Sequence, residues 1–176
     1  MSNDQSLWRL WREDYETHGR DSTLPGFRAV ASHRFGVWRL RVRPRLLRAP
    51  LTLLYRRSYR RARNRYGIEI PHSVVLGRRV RVEHQGGIVV HGNAVIGDDV
   101  IIRQGVTIGN RHLDRPDDAP MIGNRVNIGS GAVILGAITI GDDVSIGSNA
   151  VVLDDVPAGS TVVGPRAAIR TPDELQ

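Results

Sequence analysis

The stretch VEHQGGIVVHG, residues 82–92, sets Glu83 and His84 between β-forming apolar residues and the pair Gly86-Gly87. A histidine titrates near neutral pH, so it can serve as a general base when a carboxylate fixes its tautomer and stabilises its cation. Two glycines beside it would let a second backbone or a ligand approach closely. Glu69, 15 positions earlier, is a candidate carboxylate. A histidine at a turn is equally able to be a satisfied structural residue, the reading given to His72 and His91. Which applies to His84 depends on the elements that carry it.

Those elements announce themselves through a period of six. Ile122, Ile128, Ile134, Ile140, Ile146 and Val152 recur at that interval, and a small or branched residue follows each by four, from Val126 to Val156. Before residue 110 the same lattice runs through Ile70, Leu76, Val82 and Ile88, shifts by two, and resumes as Val90, Ile96, Ile102 and Ile108. Neither an α-helix nor a long alternating strand has this period. Short strands joined by tight turns do, with three sides making a triangular coil that buries a continuous column when stacked. Glycines and the pairs Asp98-Asp99 and Asp142-Asp143 supply the turn chemistry. The expected fold is mainly β, a hexapeptide-repeat parallel β-helix with a small N-terminal α-helical region. Glu69 then lies close to one coil from His84. Between Ile108 and Ile122 the spacing exceeds one side by eight residues, so NRHLDRPDDAP is expected to protrude as a loop.

Residues 1–66 read as helical, with 67–165 as the β-helix, a protruding loop at 109–121 and a tail at 166–176. Helical patterns cover LWRLWREDYETHG and FRAVASHRFGVWRL, and a third starts after Pro50, with Leu51, Leu54, Tyr55, Tyr59, Ala62 and Tyr66 on one stripe. The net charge of +7 divides unevenly: 16 Arg against 5 acids in residues 1–66, and 9 against 13 in the remainder. The Arg-rich third helix suggests peripheral contact with an anionic membrane surface as well as a plain solvated face. There is no cysteine and no lysine, which excludes disulfides, cysteine-ligated zinc, a thiol nucleophile and a lysine Schiff base. The first residues carry acids and no apolar core region, and no run approaches the roughly 20 apolar residues of a membrane span, so a cytoplasmic location is expected.

Residues 68–164 resemble the catalytic β-helix of bacterial serine acetyltransferases and their relatives, the polysaccharide acetyltransferases of the colanic-acid type. The likeness is carried by IEIPHSVVLGRRVRVEHQGGIVVHGNAVIGDDVIIRQGVTIGN, PMIGNRVNIGSGAVILG and IGSNAVVLDDVP, and PGFRAVASHRFGVW is similar to the preceding helix. The resemblance implies a left-handed prism and an acetyl-CoA-dependent O-acetyltransferase without metal. It also implies a homotrimer with sites between subunits. The family's Asp-His pair corresponds to Glu83-His84, which makes His84 the base. Its Asp-Ile-His-Pro motif corresponds to Glu69-Ile70-Pro71-His72, which makes Glu69 the orienting carboxylate. Both aspartates are glutamates here, one methylene longer. Cofactor contacts are implied at Gly109, Asn110, Ser130, Ser148 and, from an altered C-terminal motif, Arg166.

For the acceptor the resemblance divides. L-serine would be held by acidic groups at Glu83 and Asp21, with His112 substituting for a family histidine whose place is taken by Ala119. RAPLTLLYRR, GVTIGNR and VVGPRA look more like the colanic-acid-type enzymes, whose acceptor is a saccharide hydroxyl. Two rivals come from other classes. The Arg-rich helix lacks any nucleic-acid readout motif, so no nucleic-acid partner is expected. Zinc at His84, His91 and His112 would not match the spacing of β-helix carbonic anhydrases.

Overall fold

A computed structural model describes residues 6–164. Three helices precede the prism: α1 (Leu7–Thr17), α2 (Pro25–Trp38), a 3-10 turn (Arg39–Arg41) and α3 (Arg45–Tyr66). Ser6 caps α1 by accepting the Arg9 N–H, and Pro25 opens α2 at a position where no N–H is needed. The helix α3 begins five residues before Pro50, so the expected start is corrected. Pro50 sits in the second turn, its N–H-less ring on the outer surface. The expected stripe holds for Tyr55, Ala62 and Tyr66, which are buried, but Leu54 is 56% exposed. Gly67 in the left-handed conformation ends α3 and turns the chain into the first strand.

The prism then climbs in coils of three strands. The first has β1 (Ile68–Glu69), β2 (Val75–Leu76) and β3 (Arg81–Val82); the second has β4 (Ile88–Val90), β5 (Val95–Ile96) and β6 (Ile101–Ile102). The third has β7 (Thr107–Gly109), β8 (Met121–Ile122) and β9 (Asn127–Ile128). The fourth has β10 (Val133–Leu135), β11 (Thr139–Ile140) and β12 (Ser145–Ile146), with β13 (Val151–Val152) and β14 (Thr161–Val162) at the top. Three parallel sheets result: β1-β4-β7-β10-β13, β11-β8-β5-β2 and β14-β12-β9-β6-β3, the faces of a left-handed parallel β-helix. Ile68, Ile88, Ile102, Ile108, Ile128, Ile134 and Ile140 are fully buried along its axis.

The register accounts for both irregularities of the sequence. Thr107 pairs with Val133, 26 residues on, which places the eight-residue excess in the loop after β7. Ile68 pairs with Ile88, a spacing of 20, whereas Val89 to Thr107 is 18. The two extra residues therefore lie in the corner 83–87 that carries His84.

The helical region is pinned to the lower coils. Gly26 lies so close to the β3 backbone that a Cβ would stand 2.0 Å from the Val82 carbonyl oxygen. A Cβ on Gly36 would stand 2.5 Å from the Tyr55 ring, so the α2 backbone packs directly against that ring of α3. His33 is 2% exposed and bonded through Nε2 to the Val74 carbonyl at 3.0 Å, which makes it the Nε2–H tautomer. Burial, reinforced by the Arg34 charge, pulls its pKa from 6.5 to about 4. Its folded pKa thus lies below the unfolded value, so its contribution is intact above pH 6.5 and is lost as pH falls toward 4. Chemical denaturation at pH 7.5 and 4.5 should show a loss that shrinks by on the order of 2 kcal/mol in His33→Gln. An unchanged pH dependence in that variant would reject the assignment.

Candidate active site

The corner between β3 and β4 forms one edge of the prism. His84 lies there at φ 66°, and after Gln85 come Gly86 at 100° and Gly87 at 67°, three positive-φ residues in a corner that loops the imidazole outward. The Gly86 N–H donates to the Tyr66 carbonyl at 2.9 Å, and the Ile88 N–H to that of Gly67 at 2.9 Å, so the looped corner is fastened to the end of α3. His84 is exposed, and among the described residues its ring has no hydrogen-bond partner.

A cavity of about 540 Å³ opens beside it, lined by His18, Leu24, Pro25, Gly26, Arg81, Val82, Glu83, His84 and Gln85. One wall is thus the start of α2, brought in by the Gly26–Val82 approach. His18 buttresses another: its Nδ1 donates to the Asp14 carbonyl at 2.7 Å and its Nε2 accepts the Val82 N–H at 3.2 Å. Burial lowers the His18 pKa, which keeps the ring neutral and able to accept. Sequence reasoning missed His18; its position after a helical stripe gave no sign of this contact.

The carboxylates take separate partners. Glu83 sits between two guanidinium groups, 3.2 Å from Arg81 Nε and 3.0 Å from Arg103 Nε. Glu69, on β1, accepts the Tyr59 hydroxyl at 3.1 Å and is not hydrogen-bonded to His84. Burial and then the Glu69 charge push the Tyr59 pKa up to about 12, so the phenol stays a donor. Tyr59 is a second residue the sequence did not single out for this role. Asp21 lies outside the cavity lining, its Oδ1 taken by the Thr23 N–H at 2.7 Å and the Thr23 hydroxyl at 2.6 Å.

The remaining candidates fall on two edges. Ser130 and Ser148 stack 3.2 Å apart on the edge that carries His84. Gly109 and Asn110 lie where β7 leaves for the protruding loop, on the next edge, and the Asn110 side chain donates to the His112 carbonyl at 3.0 Å. The loop folds down onto its own edge, where Asn93 donates to Asp117 Oδ1 at 3.2 Å. Within one protomer His112 and His84 are therefore separated by a face of the prism. His91 is on the loop's edge too, its Nδ1 accepting the Asn93 N–H at 3.2 Å. His72 is held by the Tyr55 hydroxyl at 3.2 Å, with burial lowering its pKa. The suggested zinc set of His84, His91 and His112 does not gather, and among the described residues no group of three potential ligands does. Arg166 and the tail lie outside the described residues.

Residues 119–154 match the family described as bacterial transferase hexapeptide (six repeats). The chain is 42% identical over 140 residues to the Escherichia coli "Putative colanic acid biosynthesis acetyltransferase WcaB", covering 79% of this chain and 84% of that one. It is 39% identical over 171 residues to the serine acetyltransferase of Helicobacter pylori, covering 96% of each. Among solved structures, soybean serine acetyltransferase superposes with a TM-score of 0.75 at 32% identity, over 92% of this chain and 68% of that one. The Neisseria gonorrhoeae serine acetyltransferase gives 0.75 at 30%, over 98% and 71%. The chain spans only 62% of the length of two Entamoeba histolytica serine acetyltransferases of the same fold.

Proposed function

Since the chain belongs to the hexapeptide-repeat acetyltransferases that include the serine acetyltransferases, we propose that it transfers an acetyl group from acetyl-CoA to an acceptor hydroxyl, with His84 as general base. The observation that carries this is the cavity at the β3–β4 corner, where the outward-looped imidazole meets the wall made by α2. His84 takes the hydroxyl proton as the acceptor oxygen attacks the thioester carbonyl carbon. The tetrahedral oxyanion collapses with cleavage of the carbon–sulfur bond, and the imidazolium returns the proton to the departing sulfur. No acetyl-enzyme is required, in keeping with a chain that has no cysteine.

To serve as the orienting carboxylate, Glu69, held at rest by the Tyr59 hydroxyl, exchanges that partner for the His84 ring once the acceptor binds. The acetyl-CoA contacts are Gly109, Asn110, Ser130 and Ser148, with Arg166 in the tail. Their division between two edges, together with the separation of His112 from His84, favours a homotrimer in which the loop edge of one protomer meets the His84 edge of the next. No described helix is long and apolar enough to cross a membrane, which is consistent with a cytoplasmic location.

Similarity along nearly the whole Helicobacter pylori enzyme supports L-serine as acceptor. A specific observation favours a saccharide hydroxyl as the second reading. A serine ammonium needs an available carboxylate, whereas Glu83 is already shared by Arg81 and Arg103 and Asp21 lies outside the cavity lining. A neutral sugar makes no such demand. The two readings separate on Glu83→Gln and on the release of free thiol from acetyl-CoA with L-serine or with oligosaccharides. If serine is the acceptor, the variant raises its KM at least about tenfold, the scale of a lost charged hydrogen bond. If a saccharide is, serine supports no turnover and the variant leaves the saccharide KM within about threefold. Absence of thiol release with every hydroxyl acceptor would reject O-acetyl transfer.

A further inference from the structure

Between Ser22 and Ile68 the chain has 13 arginines and no acidic residue. Among the described residues only one of them, Arg34, is paired with a carboxylate. Most of the others lie on or just before α3, whose two faces differ sharply. Tyr55, Ala62 and Tyr66 are buried against the rest of the protein. At 3.6 residues per turn, Leu46 and Leu53 project from the opposite side. They are 89% and 70% exposed, and Leu47 and Leu54 beside them are 63% and 56% exposed. Leu54 also lines a groove of about 480 Å³ between α2 and α3, with Phe27, Phe35 and Ala62 at its walls. The leucines thus form one apolar patch on the first half of α3, continuous with a crevice. Arg45 precedes it, and Arg56, Arg57 and Arg60 continue the same exposed face along the second half.

We propose that this face docks on an anionic lipid bilayer, the leucines entering the interface and the arginines engaging headgroup phosphates. Exposed leucines set among unpaired guanidinium groups make the two-part signal of a reversible membrane-surface helix. The occupant is a bilayer and not a second copy of the chain, because self-association through this face would bring arginine clusters together with no acid between them. The inference stands apart from the acetyl-transfer reading, and vesicle binding itself is measured without acetyl-CoA or an acceptor.

The test is co-sedimentation of the full-length protein with vesicles of phosphatidylcholine alone or with about one third phosphatidylglycerol, at low and moderate salt. Binding is expected to the anionic vesicles only and to weaken with salt. Each arginine at such a surface multiplies partitioning about fivefold, so Arg56→Gln, Arg57→Gln and Arg60→Gln together should lower it roughly 100-fold. Leu46→Ser with Leu53→Ser should lower it at least about tenfold. Thiol release with a soluble acceptor should be unchanged in both variants, which separates this surface from the candidate active site. Equal binding to neutral vesicles, or none to anionic ones, would overturn the proposal. So would a change in oligomer mass in the leucine variant without vesicles, since the face would then be a protein contact.

Discussion

Replacing His84 with asparagine should lower kcat/KM for acetyl transfer by roughly two to four orders of magnitude, the range expected for loss of a general base. Asparagine is the informative substitution because residue 84 adopts φ 66°. Asparagine tolerates that left-handed backbone and has no basic nitrogen, whereas alanine would add backbone strain to lost chemistry. The ring is exposed and bonds to no other described side chain, so the melting transition should barely move. His84→Ala should show the same kinetic loss with a small additional drop in stability. Steady-state rates across pH 5.5–8.5 provide the second readout: whatever dependence on imidazole ionisation the parent shows should vanish from the residual rate. Turnover within threefold of the parent in His84→Asn would remove the base assignment while leaving the fold argument untouched. Tyr59→Phe is a milder companion, since it frees Glu69 without removing its charge.

The prism was legible because inward residues of a three-sided coil must recur at a fixed interval, and Ile122 through Val152 obey it without interruption. The corner at His84 was legible for the same reason: two extra residues cannot be absorbed by a strand, so the lattice slips where the chain loops out. What escaped depends on register and on contacts between distant elements. Glu83 reads as a free acid beside a histidine. Only when Arg81 is seen to pair with Ile101 in the next coil does Arg103 come within reach of its carboxylate. Tyr59 reads as one more apolar position on a helix, and its hydroxyl finds Glu69 only because Gly67 turns the chain sharply back along α3. Pro50 reads as a helix start because proline lacks a donor. Tertiary packing of Tyr55, Ala62 and Tyr66 nonetheless carries the helix through it.

Loss of Asp14 should have the largest effect on stability. Asp14 and Arg34 are 1% and 5% exposed, and their side chains meet at 3.0 Å between α1 and α2. The same guanidinium donates to the Leu76 carbonyl at 2.8 Å and to that of Gly77, so a single side chain ties two helices to the end of β2. Asp14→Ala strands a buried cation without its anion, which is expected to cost about 3–5 kcal/mol. Urea denaturation followed by far-ultraviolet circular dichroism measures it. Removing both charges in Asp14→Leu with Arg34→Met should recover much of that loss, because most of the penalty belongs to the uncompensated charge. Recovery stays partial, since the carbonyls of Leu76 and Gly77 lose a donor. The kinetics should follow the fold here: α2 presents Pro25 and Gly26 to the cavity beside His84, so loosening it should raise the acceptor KM more than it lowers kcat. A loss below about 1 kcal/mol in Asp14→Ala would mean that the guanidinium escapes to water when its partner is removed. The helices would then be held to the prism mainly by the Gly26 and Gly36 approaches.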